Sequence, residues 1–454
     1  MTTETLTKNG DAPTATHPKT IGYVHLGCPK NLVDTETMLG KLGSAGHRIV
    51  GDESQADVVL VNTCSFIDSA QQESVQNLVR LAEDGKKVII TGCLSQKYQS
   101  ELLDLIPEAH AVVGTGDLDK IVEVVNRVDR GERVISVTQD PTYLLTDDSE
   151  RMHVTMGSYV YLKIAEGCDY RCSFCIIPSM RGDFRSRSLS SIVDSARRLA
   201  EQGVPEVILV GQDTTSWGKD LTDGHRLPDL LRALNDIESL QWIRFMYAYP
   251  NLVSDDLLTA MAECDKVVNY LDCPLQHMHP DTLKRMRRPV MDHVAFAQRV
   301  RQAVPNVKLR TGLIVGFPGE TEAEFEFLLD AVERIRFDRL GVFEYSDVAG
   351  AHSQSLENKV DAQEISRRRH AVMTAQHRIA SQLNQAMRGQ TIDVVVESVD
   401  PATGRLTGRS QWDAPEIDNL VIVQLNEGQS ALPGQIVPVT VTTTGPYDLY
   451  GQLA

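Results

Sequence analysis

The chain has 454 residues, too many for one ordinary domain, and 42% of them are hydrophobic, enough to bury two or three separate cores. Its formal charge of -17 weighs against nonspecific nucleic-acid binding and favours basic partners. Eight cysteines with no secretory leader argue for a reducing cytoplasm and against a disulfide framework, and no apolar run approaches transmembrane length.

Residues 1–19 are polar and Thr-rich and read as a disordered tail. Beyond them one grammar repeats: a short apolar strand, a cysteine, then a helical pattern. It runs through Ile21 and Leu26 to Gly27-Cys28-Pro29-Lys30-Asn31, through Val58 and Val61 to Asn62-Thr63-Cys64, and through Val88 and Ile90 to Gly92-Cys93. A fourth strand at residues 111–113 leads into a helix from Leu118. Alternating β and α elements of this kind predict a doubly wound parallel sheet over residues 20–130. Loops after the carboxyl ends of such strands converge on one crevice, so Cys28, Cys64 and Cys93 are expected to meet there. A lone cysteine at a strand end is an ordinary buried thiol. Three at equivalent positions, two of them preceded by glycine, point to a metal-cluster site.

Residues 131–155 lose periodicity and read as a linker or a strand pair covering a boundary. After the apolar run at residues 159–165 comes Gly167-Cys168-Asp169-Tyr170-Arg171-Cys172-Ser173-Phe174-Cys175. Three thiolates spaced C-x₃-C-x₂-C can wrap three corners of an iron–sulfur cube and leave one iron open to a substrate or cofactor. A zinc knuckle is the competing reading, but zinc wants a fourth ligand from a second Cys or His pair, and none follows. The spacing, with Phe174 before the third cysteine, resembles the signature of the radical S-adenosylmethionine (radical-SAM) enzymes. That resemblance implies that the open iron chelates SAM and delivers the electron that cleaves it.

Candidate strands at residues 159–165, 206–210, 242–247, 268–271, 308–315 and 339–343 alternate with helices. Six repeats predict a partial (β/α)6 barrel over residues 156–386, with active groups on the loops after the strands. Those loops offer Gln212 and Asp213, then Gln276 beside His277, and the turn around Gly312 and Gly316, where backbone can lie against an adenine or ribose. They are the candidate contacts of a polar cofactor. His277 reads as a satisfied pocket residue, Cys264 and Cys273 as ordinary thiols, and the arginines from Met180 to Arg187 as either carboxylate binders or a solvated basic loop.

Composition changes again at residue 387. Five short β-like runs separated by turn residues predict a small antiparallel β-barrel over residues 387–454. Small barrels often bind RNA, but residues 388–454 carry three Arg, no Lys and eight Asp or Glu, a net of -5. That sign suits a basic protein better than a phosphate backbone.

Together these features resemble the methylthiotransferases, a branch of the radical-SAM enzymes that joins an N-terminal three-cysteine domain, a radical-SAM partial barrel and a C-terminal TRAM barrel. The likeness covers nearly the whole chain after the first twenty residues. Cys28-Pro29-Lys30-Asn31-Leu32-Val33-Asp34 and Gly408-Arg409-Ser410-Gln411-Trp412-Asp413-Ala414-Pro415-Glu416-Ile417-Asp418 resemble the group acting on an aspartate of the small-subunit ribosomal protein S-twelve. The tRNA-modifying sister group should have a more basic TRAM barrel. The resemblance implies two [4Fe-4S] clusters, one held by Cys168, Cys172 and Cys175 and an auxiliary one by Cys28, Cys64 and Cys93. It also implies two equivalents of SAM, an electron donor, and the basic ribosomal protein, free or in the small subunit, as partner. A non-enzymatic iron–sulfur electron carrier is the remaining alternative.

Overall fold

The computed structural model describes residues 17–65, 68–155 and 157–454. Most of the tail read at residues 1–19 lies outside them, as does residue 156, where the barrel was expected to begin. The chain forms two compact units. The first comprises the chain through Tyr143, Asp147–Val154 and Ser179–Gly182; the second comprises Leu144–Thr146, Thr155–Pro178 and Asp183–Ala454.

The first unit is a six-stranded sheet in the order β2-β1-β3-β4-β5-β6, every neighbouring pair parallel. Its strands are β1 (Thr20–His25), β2 (Arg48–Val50), β3 (Val58–Thr63), β4 (Lys87–Gly92), β5 (Ala109–Val113) and β6 (Val134–Ser136). Central strand β3 is buried on both faces. Val58 and Leu60 join the core with Leu39 and Leu42 of α1 (Pro29–Ser44) and Ile121 and Val125 of α5 (Ile121–Asp129). Val59 and Val61 face the other way, into a core that holds Leu78 of α2 (Asp68–Glu83), Leu94 of α3 (Cys93–Tyr98) and Leu102 of α4 (Glu101–Leu105). Period-two alternation with both faces covered is what a doubly wound sheet requires. The three-residue edge strand β2 was not read from the sequence, and β6 falls in the stretch read as a linker or a strand pair. Further along that stretch, Asp147–Val154 packs on α1. The Glu36 carboxylate, fully buried, accepts from Arg151 Nε at 2.8 Å and from the Val154 amide at 2.7 Å.

In the second unit, β7 (Val160–Lys163) leads into the short antiparallel pair β8 (Ala165–Glu166) and β9 (Arg185–Ser186). Between these lies α6 (Ile177–Arg181), whose residues from Ser179 onward belong to the first unit. The remaining barrel strands are β10 (Glu206–Val210), β11 (Trp242–Phe245), β12 (Tyr270–Asp272), β13 (Lys308–Val315) and β14 (Arg339–Glu344). They form two parallel three-stranded sheets, β11-β10-β7 and β12-β13-β14, joined by a parallel bridge between Ile243 and Val267. Among the described residues β7 and β14 are unpaired with each other, so the barrel is open between them. Helices α7 (Leu189–Glu201), α8 (Leu227–Asn235), α9 (Asp255–Glu263), α10 (Pro280–Arg285), α11 (His293–Ala303), α12 (Glu322–Ile335) and α13 (Ala362–Gln385) follow in order. One continuous core contains Ile192, Leu230, Leu257, Val300, Leu328 and Val372 of these helices.

The C-terminal barrel closes in the order β15-β16-β17-β19-β18, from β15 (Thr391–Asp400), β16 (Arg405–Ser410), β17 (Val421–Gln424), β18 (Ile436–Thr444) and β19 (Leu449–Leu453). It is antiparallel except for β17 with β19, which run parallel. A ring of five strands cannot alternate direction all the way round, so one pair must be parallel. The connection from β16 to β17 docks on the partial barrel. Arg409 meets Glu206 at 2.8 Å, Asp413 meets Arg339 at 2.6 Å, and Asp418 meets Arg310 at 3.2 Å and the Tyr270 hydroxyl at 2.6 Å. Arg244 completes the group, 2.7 Å from Glu206. Asp413 and Asp418, counted above toward an acidic outward surface, therefore point inward and are neutralised by the barrel.

Candidate functional site

The three N-terminal cysteines stand at the carboxyl ends of adjacent strands. Cys28 is the residue before α1, with Pro29 in the first helical position where its missing N–H costs nothing. Cys64 follows β3 directly and Cys93 opens α3. The strand ends are in step, His25 opposite Asn62 and Thr63 opposite Gly92. Two glycines make the approach possible. A Cβ on Gly27 would stand 2.8 Å from Cys64 Cβ and 3.2 Å from its sulfur. One on Gly92, at φ +90, would stand 2.2 Å from Asn62 Oδ1. Cys28 lies near enough to Cys93 to oppose its ionisation.

Asn31 ties these strand ends together. Its Nδ2 donates to Leu26 O and Thr63 O, its carbonyl accepts from Asn62 Nδ2 at 2.7 Å, and its Oδ1 lies 3.7 Å from Cys93 Sγ. Arg181 enters the same crevice, and its guanidinium donates to Asp34 Oδ2 at 2.6 Å and to Asn31 Oδ1. The motif from Cys28 to Asp34 thus supplies a thiol, a hydrogen-bond hub and a counter-ion.

In the second unit, the loop of Cys168, Cys172 and Cys175 is anchored from two directions. Ser173 N donates to Met286 O and Ser173 Oγ to Arg285 O, while Ser353 N donates to Ser173 O. Burial pushes Cys168 up to about 11 and Cys175 up to about 12, and the neighbouring Cys172 adds to both. Beside them Tyr170 stacks on Tyr249 with centroids 3.8 Å apart, and the Arg288 guanidinium lies 4.1 Å over Tyr249. Arg288 Nη1 is 4.0 Å from Cys172 Sγ. No sequence pattern announced this stack, because Tyr249 and Arg288 come from loops far from the cysteines in the chain.

Among the described residues, only His279, Asp281 and Glu324 bring three potential ligand atoms within 4.8 Å of one another. There Glu324 is a helix cap, held by Arg285 and the Thr321 amide. Neither cysteine triad gathers so closely. Tetrahedral zinc with bonds of about 2.3 Å needs sulfurs about 3.8 Å apart. Neither triad brings all three sulfurs within 4.8 Å of one another, so neither is gathered for a single tetrahedral ion.

The remaining candidates divide. Gln212 Nε2 donates to Glu166 Oε1 at 2.6 Å, Glu166 also pairs with Lys163 at 2.7 Å, and Gln212 Oε1 is buried without a hydrogen-bond partner. The Asp213 carboxylate is taken up by its own turn, accepting from the Thr215 and Ser216 amides and hydroxyls. Gln276, at φ +71, is bonded through its backbone to Gly312 O and the Ile314 amide. A notional Cβ on Gly312 meets only ordinary contacts, the Phe343 ring at 3.5 Å and Pro274 Cβ at 4.0 Å, whereas at Gly316 that space is filled by Ile365 of α13. Glu320, which sequence reasoning passed over, clamps this turn by accepting from the Gly316 and Phe317 amides. His277 Nδ1 accepts from the His279 amide, so Nε2 carries the proton and donates to Glu320 Oε1 at 3.1 Å. Arg181 and Arg187 are both buried, so the loop that bears them is not merely solvated.

Three family models match: uncharacterized protein family UPF0004 over residues 20–114, the radical SAM superfamily over 162–332, and the TRAM domain over 389–454. The chain is 50% identical to "Ribosomal protein uS12 methylthiotransferase RimO" of Microcystis aeruginosa, covering 96% of this chain and 99% of that one. It is 49% identical to the protein of the same name from Synechococcus sp. strain CC9605, covering 97% and 96%. Among solved structures, the radical S-adenosylmethionine methyltransferase TsrM of Kitasatospora setae, with cobalamin and a [4Fe-4S] cluster bound, shares the fold. Its TM-score is 0.53 at 15% identity, over 72% of this chain and 75% of that one. Three matched domains in the right order and near-complete coverage at half identity lead to one conclusion: the chain belongs to the RimO family and is a radical-SAM methylthiotransferase.

Proposed function

We propose that the enzyme replaces a hydrogen on the β-carbon of one aspartate of ribosomal protein uS12 with a methylthio group, using two [4Fe-4S] clusters and two equivalents of SAM. The observation that carries this reading is the half-identical match to RimO proteins along almost the entire chain. When bound, the cluster held by Cys168, Cys172 and Cys175 would supply the electron for reductive cleavage of SAM, and the one held by Cys28, Cys64 and Cys93 would present the sulfur to be transferred.

The protein's own contribution is positioning. Gln212, oriented by Glu166, would turn its unpartnered carbonyl oxygen toward a cofactor donor, a group costly to bury unsatisfied. Gly312 and the backbone at Gln276 would let that cofactor lie against the strand ends. Asp213 and Gly316 would shape their loops and not touch it, since their carboxylate and α-carbon face are already occupied. The Tyr170–Tyr249–Arg288 stack would wall the cluster loop from water and keep a positive charge beside Cys172. Recognition of the basic substrate would draw on the overall charge of -17, with Asp393, Asp400, Glu416 and Glu427 the acidic groups that the C-terminal barrel exposes.

The test is anaerobic reconstitution with iron and sulfide, incubation with SAM, a strong reductant and uS12, and intact-mass analysis of uS12. A gain equal to hydrogen replaced by S-methyl, mapped to one aspartate, is the expected result. Unmodified uS12 with SAM cleaved, and the same gain on tRNA adenosine, would refute the substrate and leave the reaction class standing.

A further inference from the structure

The crevice of the first unit contains a charged group that the chemistry above does not use. Arg181 is 2% exposed, and each end of its guanidinium has an assigned partner. Nη1 donates to Asp34 Oδ2 at 2.6 Å; Nη2 donates to Asn31 Oδ1 and lies 3.7 Å from Cys93 Sγ. The preceding residue is fastened as well, with Thr115 Oγ1 donating to Met180 O. A planar guanidinium held at two corners has a fixed direction for its remaining N–H groups, which a lysine ammonium would not have. Burying this cation is costly unless it is paired, and Asp34 supplies the pair. The second nitrogen is then committed to the thiol side of the crevice.

Arg181 Nη2 lies 3.7 Å from Cys93 Sγ, so its charge and its N–H would act on any cluster whose thiolate is Cys93. A hydrogen bond and a positive charge on a ligand sulfur stabilise the more negative, reduced state.

We propose that Arg181 is a positioning residue of the auxiliary site, aimed by Asp34 and Asn31 so that Nη2–H donates to the Cys93 sulfur and raises the reduction potential of the cluster there. This rests on the reading of Cys28, Cys64 and Cys93 as cluster ligands. It also gives a reason for the chain order: Arg181 comes six residues after Cys175, so the loop that bears one triad continues into the residue that tunes the other.

The experiment uses the full chain carrying Cys168→Ala, Cys172→Ala and Cys175→Ala, reconstituted anaerobically, with iron and sulfide quantified and the cluster followed by electron paramagnetic resonance during a redox titration. Arg181→Met in this background is expected to retain iron and to shift the midpoint negative. At a fixed poise the ratio of reduced to oxidised cluster should fall about tenfold, which is 59 mV for a one-electron couple. Arg181→Lys, which keeps the charge and loses the fork, should fall between. An unchanged midpoint and spectrum in Arg181→Met with full iron content would overturn the proposal. If Arg181→Met fails to hold iron, Arg181→Lys decides, and an unchanged spectrum and midpoint there overturn it equally. A parent protein that binds no iron refutes the auxiliary-cluster reading itself, a different failure from an unresponsive potential.

Discussion

Glu206→Gln should release the C-terminal barrel from the partial barrel. Glu206 is 0% exposed and lies between Arg244, also 0% exposed, and Arg409 at 1%, with contacts of 2.7 and 2.8 Å. Burial opposes its ionisation, but the two guanidinium groups outweigh that and hold the carboxyl below its usual range. At an effective dielectric of about 20, each charge pair some 4 Å apart is worth about 4 kcal/mol. The substitution forfeits both pairs, recovers the desolvation cost of one carboxylate, and leaves two buried arginines repelling each other. Breaking a buried pair in this way costs about 3–5 kcal/mol net. Hydrogen exchange reads the effect locally: protection of β15 to β19 should drop about a hundredfold or more, since each 1.4 kcal/mol is tenfold. Replacing Glu206, Arg244 and Arg409 together by Leu and Met should restore most of the loss, because the fully buried charges are gone and Glu397, the other partner of Arg409, is partly open to water. A drop of less than tenfold in Glu206→Gln, or a triple variant worse than the single one, would refute the reasoning.

The two triads should separate by substitution: Cys28→Ala, Cys64→Ala or Cys93→Ala is expected to keep SAM cleavage and abolish methylthio transfer, while Cys172→Ala loses cleavage itself, with cleavage read by chromatography of its products and transfer by the intact mass of uS12. Gly92→Ala places a Cβ 2.2 Å from Asn62 Oδ1 at a φ and ψ open essentially to glycine alone; a loss of about 2–4 kcal/mol in thermal melts is expected, and a wild-type melt would contradict the packing described. Burial raises the Glu36 carboxyl, but Arg151, His153 and the Val154 amide together bring it below its ordinary value. A depressed folded value contributes stability above the unfolded value of about 4.3 that is lost as pH falls through the folded one. Urea unfolding should therefore show the wild type ahead of Glu36→Gln near neutrality and the two converging below about pH 4; a constant gap across that range would assign the effect to packing instead of charge.

Much was legible from the chain alone because it is written in local spacing. The period-two runs ending in Cys28, Cys64 and Cys93, and the eight-residue span from Cys168 to Cys175, each announce chemistry without a fold. Parallel strands in a doubly wound sheet must align their carboxyl ends, so the convergence of the first triad followed from topology. The edge strand β2 escaped notice, and β6 was legible only as one member of a possible strand pair, because three residues are too few to show a period.

What the tertiary structure alone decided is how polar groups are partnered. The acidic residues of the C-terminal barrel read as one outward charge, yet Asp413 and Asp418 are neutralised by Arg339 and Arg310, from strands far away in sequence. The Asp213 carboxylate accepts from its own turn, and of the two readings left open for Arg181, a carboxylate binder or part of a solvated loop, its burial against Asp34 agrees with the first. Spacing determines which residues recur on a face or at a strand end, because backbone geometry is periodic. It does not determine which buried charge meets which, because that depends on where separate elements pack.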